Sequence, residues 1–170
     1  VWNTVKDHNG TVDVESNDAG TIFTIYFPIC SDKERKTDEA NSAAEPLAGN
    51  GEKILVVDDE PQLQDIAKQM LLELNYQVFT ADSGEAAIYF LKENRVDLVL
   101  IDMIMTPGMN GCETYQEITC LHPGQKTLLV SGFSQSSEVD KALEMGAKGF
   151  ISKPYSITQL GRNIKNTLNP

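Results

Sequence analysis

Five residues stand out for the chemistry they could perform together: Asp58, Asp59, Asp102, Ser131 and Lys153. Each follows a short, mostly aliphatic run. Asp58 and Asp59 follow Ile54-Leu55-Val56-Val57, and Asp102 follows Leu98-Val99-Leu100-Ile101. Ser131 follows Thr127-Leu128-Leu129-Val130, and Lys153 comes just after Gly149-Phe150-Ile151. Carboxylates crowded into one pocket repel unless a proton or cation joins them. A hard divalent ion with oxygen ligands and retained waters is the natural occupant, and Mg2+ fits best. Such an ion also neutralises phosphoryl oxygens, leaving one carboxylate free to attack phosphorus and form an aspartyl phosphate. Lys153 would hold a phosphoryl oxygen as a point charge, and Ser131 would donate a hydrogen bond to another. Taken singly, an Asp at a strand end is a turn residue or a helix cap. Four such features, each ending a different run, point instead to one assembled site.

That assembly requires the runs to lie side by side with their carboxyl ends together. Residues 52–170 alternate strand and helix patterns, with Val78-Phe79-Thr80-Ala81 as the fifth run. Most of the runs are rich in aliphatic residues, as strands covered on both faces should be. Between them, Pro61 opens a helix with Ile66, Met70, Leu71 and Leu74 at helical spacing. Ser83 caps a second over residues 85–91, and Gly111 precedes a third. Ser136-Ser137-Glu138 open a fourth that Gly146 ends. Residues 156–168 form a fifth, with Ile157, Leu160, Ile164 and Leu168 on one face. Five β-α pairs with short connections predict an α/β, doubly wound, five-stranded parallel sheet of flavodoxin-like order 2-1-3-4-5 with five helices. Ligands of such sheets bind beyond the carboxyl ends of the strands where the order reverses, between the first and third strands.

The rest of the chain sets boundaries. It has 170 residues, 14 Lys or Arg against 25 Asp or Glu, and a formal charge of −11. That balance argues against direct nucleic-acid binding, which needs a basic face. No apolar run approaches the length of a membrane span, and no secretory signal is present. Three cysteines, Cys30, Cys112 and Cys120, have neither metal-site spacing nor an even count, which favours a reducing, cytoplasmic compartment. Val1 in place of Met suggests a piece of a longer protein. Residues 1–29 read as a helix end and two strands, Thr11-Val12-Asp13-Val14-Glu15 and residues 21–27, around the turn Asn17-Asp18-Ala19-Gly20. An isolated hairpin is marginal, so disorder or pairing with a neighbour is expected of it. Residues 30–51 are charged and then rich in Ala, Ser, Pro, Gly and Asn, a flexible linker with an end-to-end distance of about 25 Å.

Residues 53–168 resemble the receiver domain of two-component response regulators. The matching features are Val56-Val57-Asp58-Asp59-Glu60, Leu100-Ile101-Asp102, the loop Pro107-Gly108-Met109-Asn110-Gly111, Val130-Ser131-Gly132 and Lys153-Pro154. The resemblance implies that Asp102 accepts a phosphoryl group from a phosphohistidine. It implies Mg2+ on Asp59, Asp102 and the backbone carbonyl of Ile104, with Asp58 acting through water. Ser131 and Lys153 would engage the phosphate, and Phe150, three residues before Lys153, stands at the family's switch aromatic. On phosphorylation Ser131 would move toward the phosphate and Phe150 would turn inward. The chain departs from the family twice. The usual Met-Pro three and four residues past the acceptor becomes Met105-Thr106-Pro107, one residue longer. The position two past Asp102 is Ile104, whose side chain cannot orient an attacking water, so slow self-dephosphorylation is expected.

Residues 1–29 resemble the end of a histidine kinase ATP-binding domain, its last helix and final two strands. The residues are Val5-Lys6-Asp7-His8-Asn9-Gly10, Val12-Asp13-Val14-Glu15-Ser16 and residues 20–28. The order kinase remnant (1–29), linker (30–51), receiver (52–170) implies a hybrid histidine kinase, of which this stretch is not itself the kinase. His8 is a poor phosphoacceptor candidate. The partners implied are a phosphohistidine domain of a kinase or a histidine-phosphotransfer protein, with no nucleic acid, no membrane contact and dimerisation left open. An enzymatic alternative is a haloacid-dehalogenase-like phosphatase, which also uses an Asp nucleophile with Mg2+. That family has its nucleophile and acid two apart at the end of the first strand, whereas Asp58 and Asp59 are adjacent. A flavodoxin-like cofactor binder is a third class, disfavoured because crowded acids would repel a flavin phosphate.

Overall fold

The computed structural model describes residues 5, 6, 8, 10–17, 20–28, 47–132 and 137–169. The chain divides into two compact units, before and after the boundary between residues 45 and 46. The first holds an antiparallel hairpin of β1 (Thr11–Asn17) and β2 (Gly20–Tyr26), with Thr11 opposite Tyr26 and Val14 opposite Phe23. A full ladder joins the two strands, and a helical turn closes beside it through the Gly10 N–H to Val5 O bond at 2.8 Å. Val5 is buried, whereas Val14, Phe23 and Ile25, on one face of the hairpin, are exposed. The His8 ring meets Phe27 edge-on at 6.0 Å.

The second unit carries the parallel sheet. Its elements are β3 (Lys53–Val57), α1 (Pro61–Glu73), β4 (Gln77–Ala81), α2 (Gly84–Glu93), β5 (Leu98–Asp102) and α3 (Gly111–Leu121). They continue with β6 (Thr127–Ser131), α4 (Ser137–Glu144), β7 (Gly149–Ser152) and α5 (Ile157–Leu168). Strand order is β4-β3-β5-β6-β7, all parallel, which is the predicted 2-1-3-4-5. Alternate residues feed opposite faces. Leu55, Val57, Val99, Ile101 and Leu129 pack under α2, α3 and α4 with Leu91, Tyr115, Ile118 and Val139. Ile54, Val56, Leu98, Leu100, Leu128 and Val130 pack under α1 and α5 with Leu71, Leu160 and Ile164.

Helix starts follow their caps. Pro61 is at the first turn of α1, and Ser83 Oγ accepts the Ala86 N–H. Asn110 with Glu113, and Ser156 with Gln159, form reciprocal capping boxes at α3 and α5. Ser136, expected at the start of α4, lies outside the described residues, as does Cys30; Cys112 and Cys120 are free thiols. α1 buries most of the expected stripe, with Leu71 and Leu74 in the core and Met70 partly buried against it, and departs from it at Ile66. Ala67 and Leu71 face the core while Ile66 is 50% exposed.

Of the residues that composition assigned to a linker, the described ones are structured. Residues 47–51 belong to the second unit, where Leu47 packs into the α1/α5 core and Gly49 is buried. Gly49 N–H donates to Leu74 O at 2.8 Å, and Lys165 Nζ reaches Ala48 O at 2.9 Å. Asn75, in the left-handed region at φ 64°, ends α1 and gives its side-chain amide to Gly49 O at 2.9 Å.

Candidate functional site

The carboxyl ends of β3, β5, β6 and β7 meet at one edge of the sheet. Because β5 lies beside β3, Asp102 comes up against the pair Asp58-Asp59 that leaves β3. Each of the three offers a carboxylate oxygen, and these oxygens all lie within 4.8 Å of one another. Asp58 and Asp102 are buried at 6% exposure each. Lys153, leaving β7, spans them: its Nζ is 2.9 Å from Asp58 Oδ2 and 2.9 Å from Asp102 Oδ2. Its backbone N–H donates to Ser131 O at 2.8 Å, which ties the end of β7 to the end of β6. Ser131 is buried at the tip of β6. Phe150, in β7, is partly buried against the α2/α3/α4 core.

The surrounding backbone fixes these groups. Asp58 Oδ1 accepts the Glu60 N–H at 2.9 Å. Asp102 Oδ1 lies 3.4 Å from the Ile104 N–H, whose side chain is 50% exposed at the mouth of the site. Asp59 Oδ2 accepts the Thr106 N–H at 2.9 Å. Gly111 opens α3 hard against the end of β5. A Cβ there would overlap Asp102 O and the Met103 backbone, so a side chain at 111 would displace the acceptor strand.

Electrostatics follow from burial and crowding. Burial pushes the Asp102 carboxyl above its ordinary value and the Asp58 charge adds to this, although the Lys153 hydrogen bond and charge pull the other way. Burial alone would lower the Lys153 ammonium, but its hydrogen bonds to Asp102 and Asp58 and their charges outweigh that and raise it. The Tyr155 phenol is raised by burial, with Lys153 opposing and Asp58 and Asp102 adding to the shift. Such a cluster has the donor set of a hard cation, three carboxylates gathered side by side. It is also poor ground for an unaided anion, which disfavours a bound flavin phosphate.

Asp58, Asp59, Asp102, Ser131 and Lys153 thus come from one edge of the sheet, and the described side-chain contacts join Asp58, Asp102 and Lys153 directly. The contacts of the loop after β5 were not foreseen. The extra residue at Thr106 was visible as a departure, but not that its amide would face Asp59. The capping box at Asn110 carries a sequence signature, Asn followed three residues later by Glu.

An open doubly wound sheet with three acids and a lysine at its switch point defines a phosphoryl-handling receiver class. The model of the response regulator receiver domain family matches residues 54–165, and the chain belongs to that family. It is a receiver domain of two-component signalling. Sensor kinase CckA of Brucella abortus (strain 2308) is 30% identical over 179 residues, covering 99% of this chain and 19% of that protein. The chain therefore spans about a fifth of the length of the curated relative it matches. Among solved structures, a CheY-like receiver domain protein from Methanospirillum hungatei JF-1 superposes with a TM-score of 0.67 at 29% identity, over 71% of this chain and 95% of that one. NtrX from Brucella abortus does so at 0.66 and 26%, over 69% and 27%. Nothing in the family match or the sheet order supports the phosphatase alternative.

Proposed function

We propose that Asp102 is the phosphoacceptor of a phosphorelay. A carboxylate oxygen of Asp102 attacks phosphorus of a phosphohistidine. The N–P bond breaks, an O–P bond forms, and the departing imidazole nitrogen keeps the electron pair and takes a proton from solvent. Mg2+ would be held by Asp59, Asp102 and the Ile104 carbonyl, with Asp58 acting through water. When bound it supplies positive charge against both the carboxylates and the phosphoryl oxygens. Asp102 must be ionised to attack, and the Lys153 hydrogen bond and charge favour that form against its burial. Lys153 then shifts its ammonium from Asp102 to a phosphoryl oxygen, and Ser131 donates to another. The movement of Ser131, with Phe150 turning further into the core, would carry the change to the surface of α4, β7 and α5.

The observation that carries this reading is Asp102 among three clustered carboxylates, 2.9 Å from Lys153. Acetyl phosphate or beryllofluoride with Mg2+, followed by mass spectrometry, tests it. Wild type gains one adduct and Asp102→Asn gains none; an unmodified wild type ends the proposal.

The donor would be the phosphohistidine domain of a kinase or a histidine-phosphotransfer protein, in the cytoplasm, without nucleic acid and without membrane contact by this stretch; a dimer is compatible. Among the described residues no helix is long and apolar enough to cross a membrane. Residues 1–29 are assigned as the end of a kinase ATP-binding domain. The support is that the match to sensor kinase CckA runs over 99% of this chain, well beyond the receiver. The whole protein would then be a hybrid histidine kinase, residues 30–51 its connecting segment and 52–170 its receiver.

A further inference from the structure

Asp59 is held by a group that the common receiver pattern cannot supply. With Pro four residues past the acceptor there is no N–H at that position. Here Thr106 stands there, and its N–H donates to Asp59 Oδ2 at 2.9 Å. Ile104, Thr106, Pro107 and Gly108 are all exposed, so burial of the loop itself does not fix that amide, although the buried Met105 side chain pins its middle.

The further restraint comes from α2. Glu85, the second residue of α2, accepts the Met109 N–H through Oε1 at 3.1 Å. Its two carboxylate oxygens also lie 3.0 and 3.1 Å from where a Cβ at Gly108 would stand, at a φ of +116° that favours glycine. α2 is set at that height by Gly84, whose bare Cα sits where a side chain would overlap the Thr114 hydroxyl of α3. Glu85 is therefore aimed at the far end of the lengthened loop by helix packing, and the near end of the loop is aimed at Asp59.

We propose that Glu85 is a positioning residue for the cation held by Asp59, acting through the loop: it fixes the Met109 end so that the Thr106 amide stays on Asp59 Oδ2. One oxygen of Asp59 is then committed to an N–H, the carboxylate cannot swing, and the other oxygen is left for the metal. Partners that orient a ligating carboxylate tighten metal binding because the ligand loses less freedom when the ion arrives. This inference rests on the reading of the Asp cluster as a Mg2+ site.

The test uses the full chain with Mg2+ alone, read by titration calorimetry, and the metal-free melting midpoint alongside. Glu85→Ala raises the Mg2+ Kd about three- to tenfold, and Thr106→Pro, which deletes the donor itself, about tenfold. Glu85→Gln, which keeps an acceptor oxygen, recovers most of the wild-type affinity. The double variant Glu85→Ala/Thr106→Pro binds no more weakly than Thr106→Pro, since both remove the same restraint. Glu85 is exposed, so its two variants keep the metal-free midpoint and carry the test even if Thr106→Pro does not fold. Wild-type binding with an unchanged Kd in Glu85→Ala overturns the inference and leaves the phosphoacceptor reading standing, as do losses that simply add in the double variant. A wild type that takes up no Mg2+ overturns both.

Discussion

Lys153 stabilises two buried carboxylates at once, so its removal leaves both without that partner. Lys153→Met should cost the metal-free fold about 1–3 kcal/mol, below the figure for a fully buried pair because its side chain keeps some solvent contact. Calorimetry with and without Mg2+ checks this: the ion should recover much of the loss. The pH signs of the pair are the same, at opposite ends of the scale. Lys153 is raised in the fold, so its contribution is complete below its ordinary value of 10.5 and is lost as pH rises through the folded value. Asp102 is also raised, so the fold holds its proton longer than the unfolded chain does, and metal-free stability falls as pH rises above 3.8 through the folded value. Asp102→Asn should therefore raise the metal-free midpoint at pH 7, with Asp58 still holding Lys153, and the gain should vanish in acid. A midpoint lower than wild type at pH 7 would mean that the Lys153 bond outweighs burial. Ile104 presents an apolar side chain at the mouth, and Ile104→Asn should speed loss of the phosphoryl group about ten- to a hundredfold by orienting water. A phosphoryl half-life of seconds in wild type, unchanged in the variant, contradicts this. The acids and the lysine were legible in the sequence because each follows a recognisable strand. The Thr106 amide and Glu85 were not, because their contacts depend on the path of a loop and on two helices meeting at Gly84.

At the scale of elements, the strands were legible because their aliphatic runs are short and buried on both faces. α1 shows where periodicity stops deciding. Ile66-Met70 and Ala67-Leu71 are neighbouring stripes with the same spacing, and a helical period cannot choose between them. The core takes the second, with Ala67 at 2% exposure and Leu71 fully buried, while Met70 stays partly buried at its margin and Ile66 is exposed. The energetic consequence is sharp. Leu71→Ala should cost about 2–5 kcal/mol through transfer and cavity terms, whereas Ile66→Ala should change stability by about 0.5 kcal/mol or less. Denaturant midpoints compare the two directly; equal losses would put Ile66 in the core.

For the molecule as a whole, both core clusters of the sheet unit draw their residues from Leu47 onward. The hairpin's exposed residues contribute to neither. Composition marked residues 30–51 as one linker because polar content was the only signal, and backbone hydrogen bonds leave no mark in composition. Leu47 in the α1/α5 core, the Gly49 N–H on Leu74 O and the Lys165 bond to Ala48 O make residues 47–51 part of the sheet unit instead. Two truncations separate these possibilities. A chain of residues 46–170 should melt where the full chain's receiver does, since it keeps every one of these contacts. A chain of residues 52–170 loses the Leu47 packing and four hydrogen bonds to Leu74, Asn75 and Lys165, worth together about 1–3 kcal/mol. For a unit of this size that lowers the melting midpoint by about 5–10 °C. Equal midpoints for the two truncations would make residues 47–51 a passive tether. A drop confined to the shorter chain would mean that residues 47–51 are a docked part of the receiver, held on α5, the helix whose surface the proposed switch would repack.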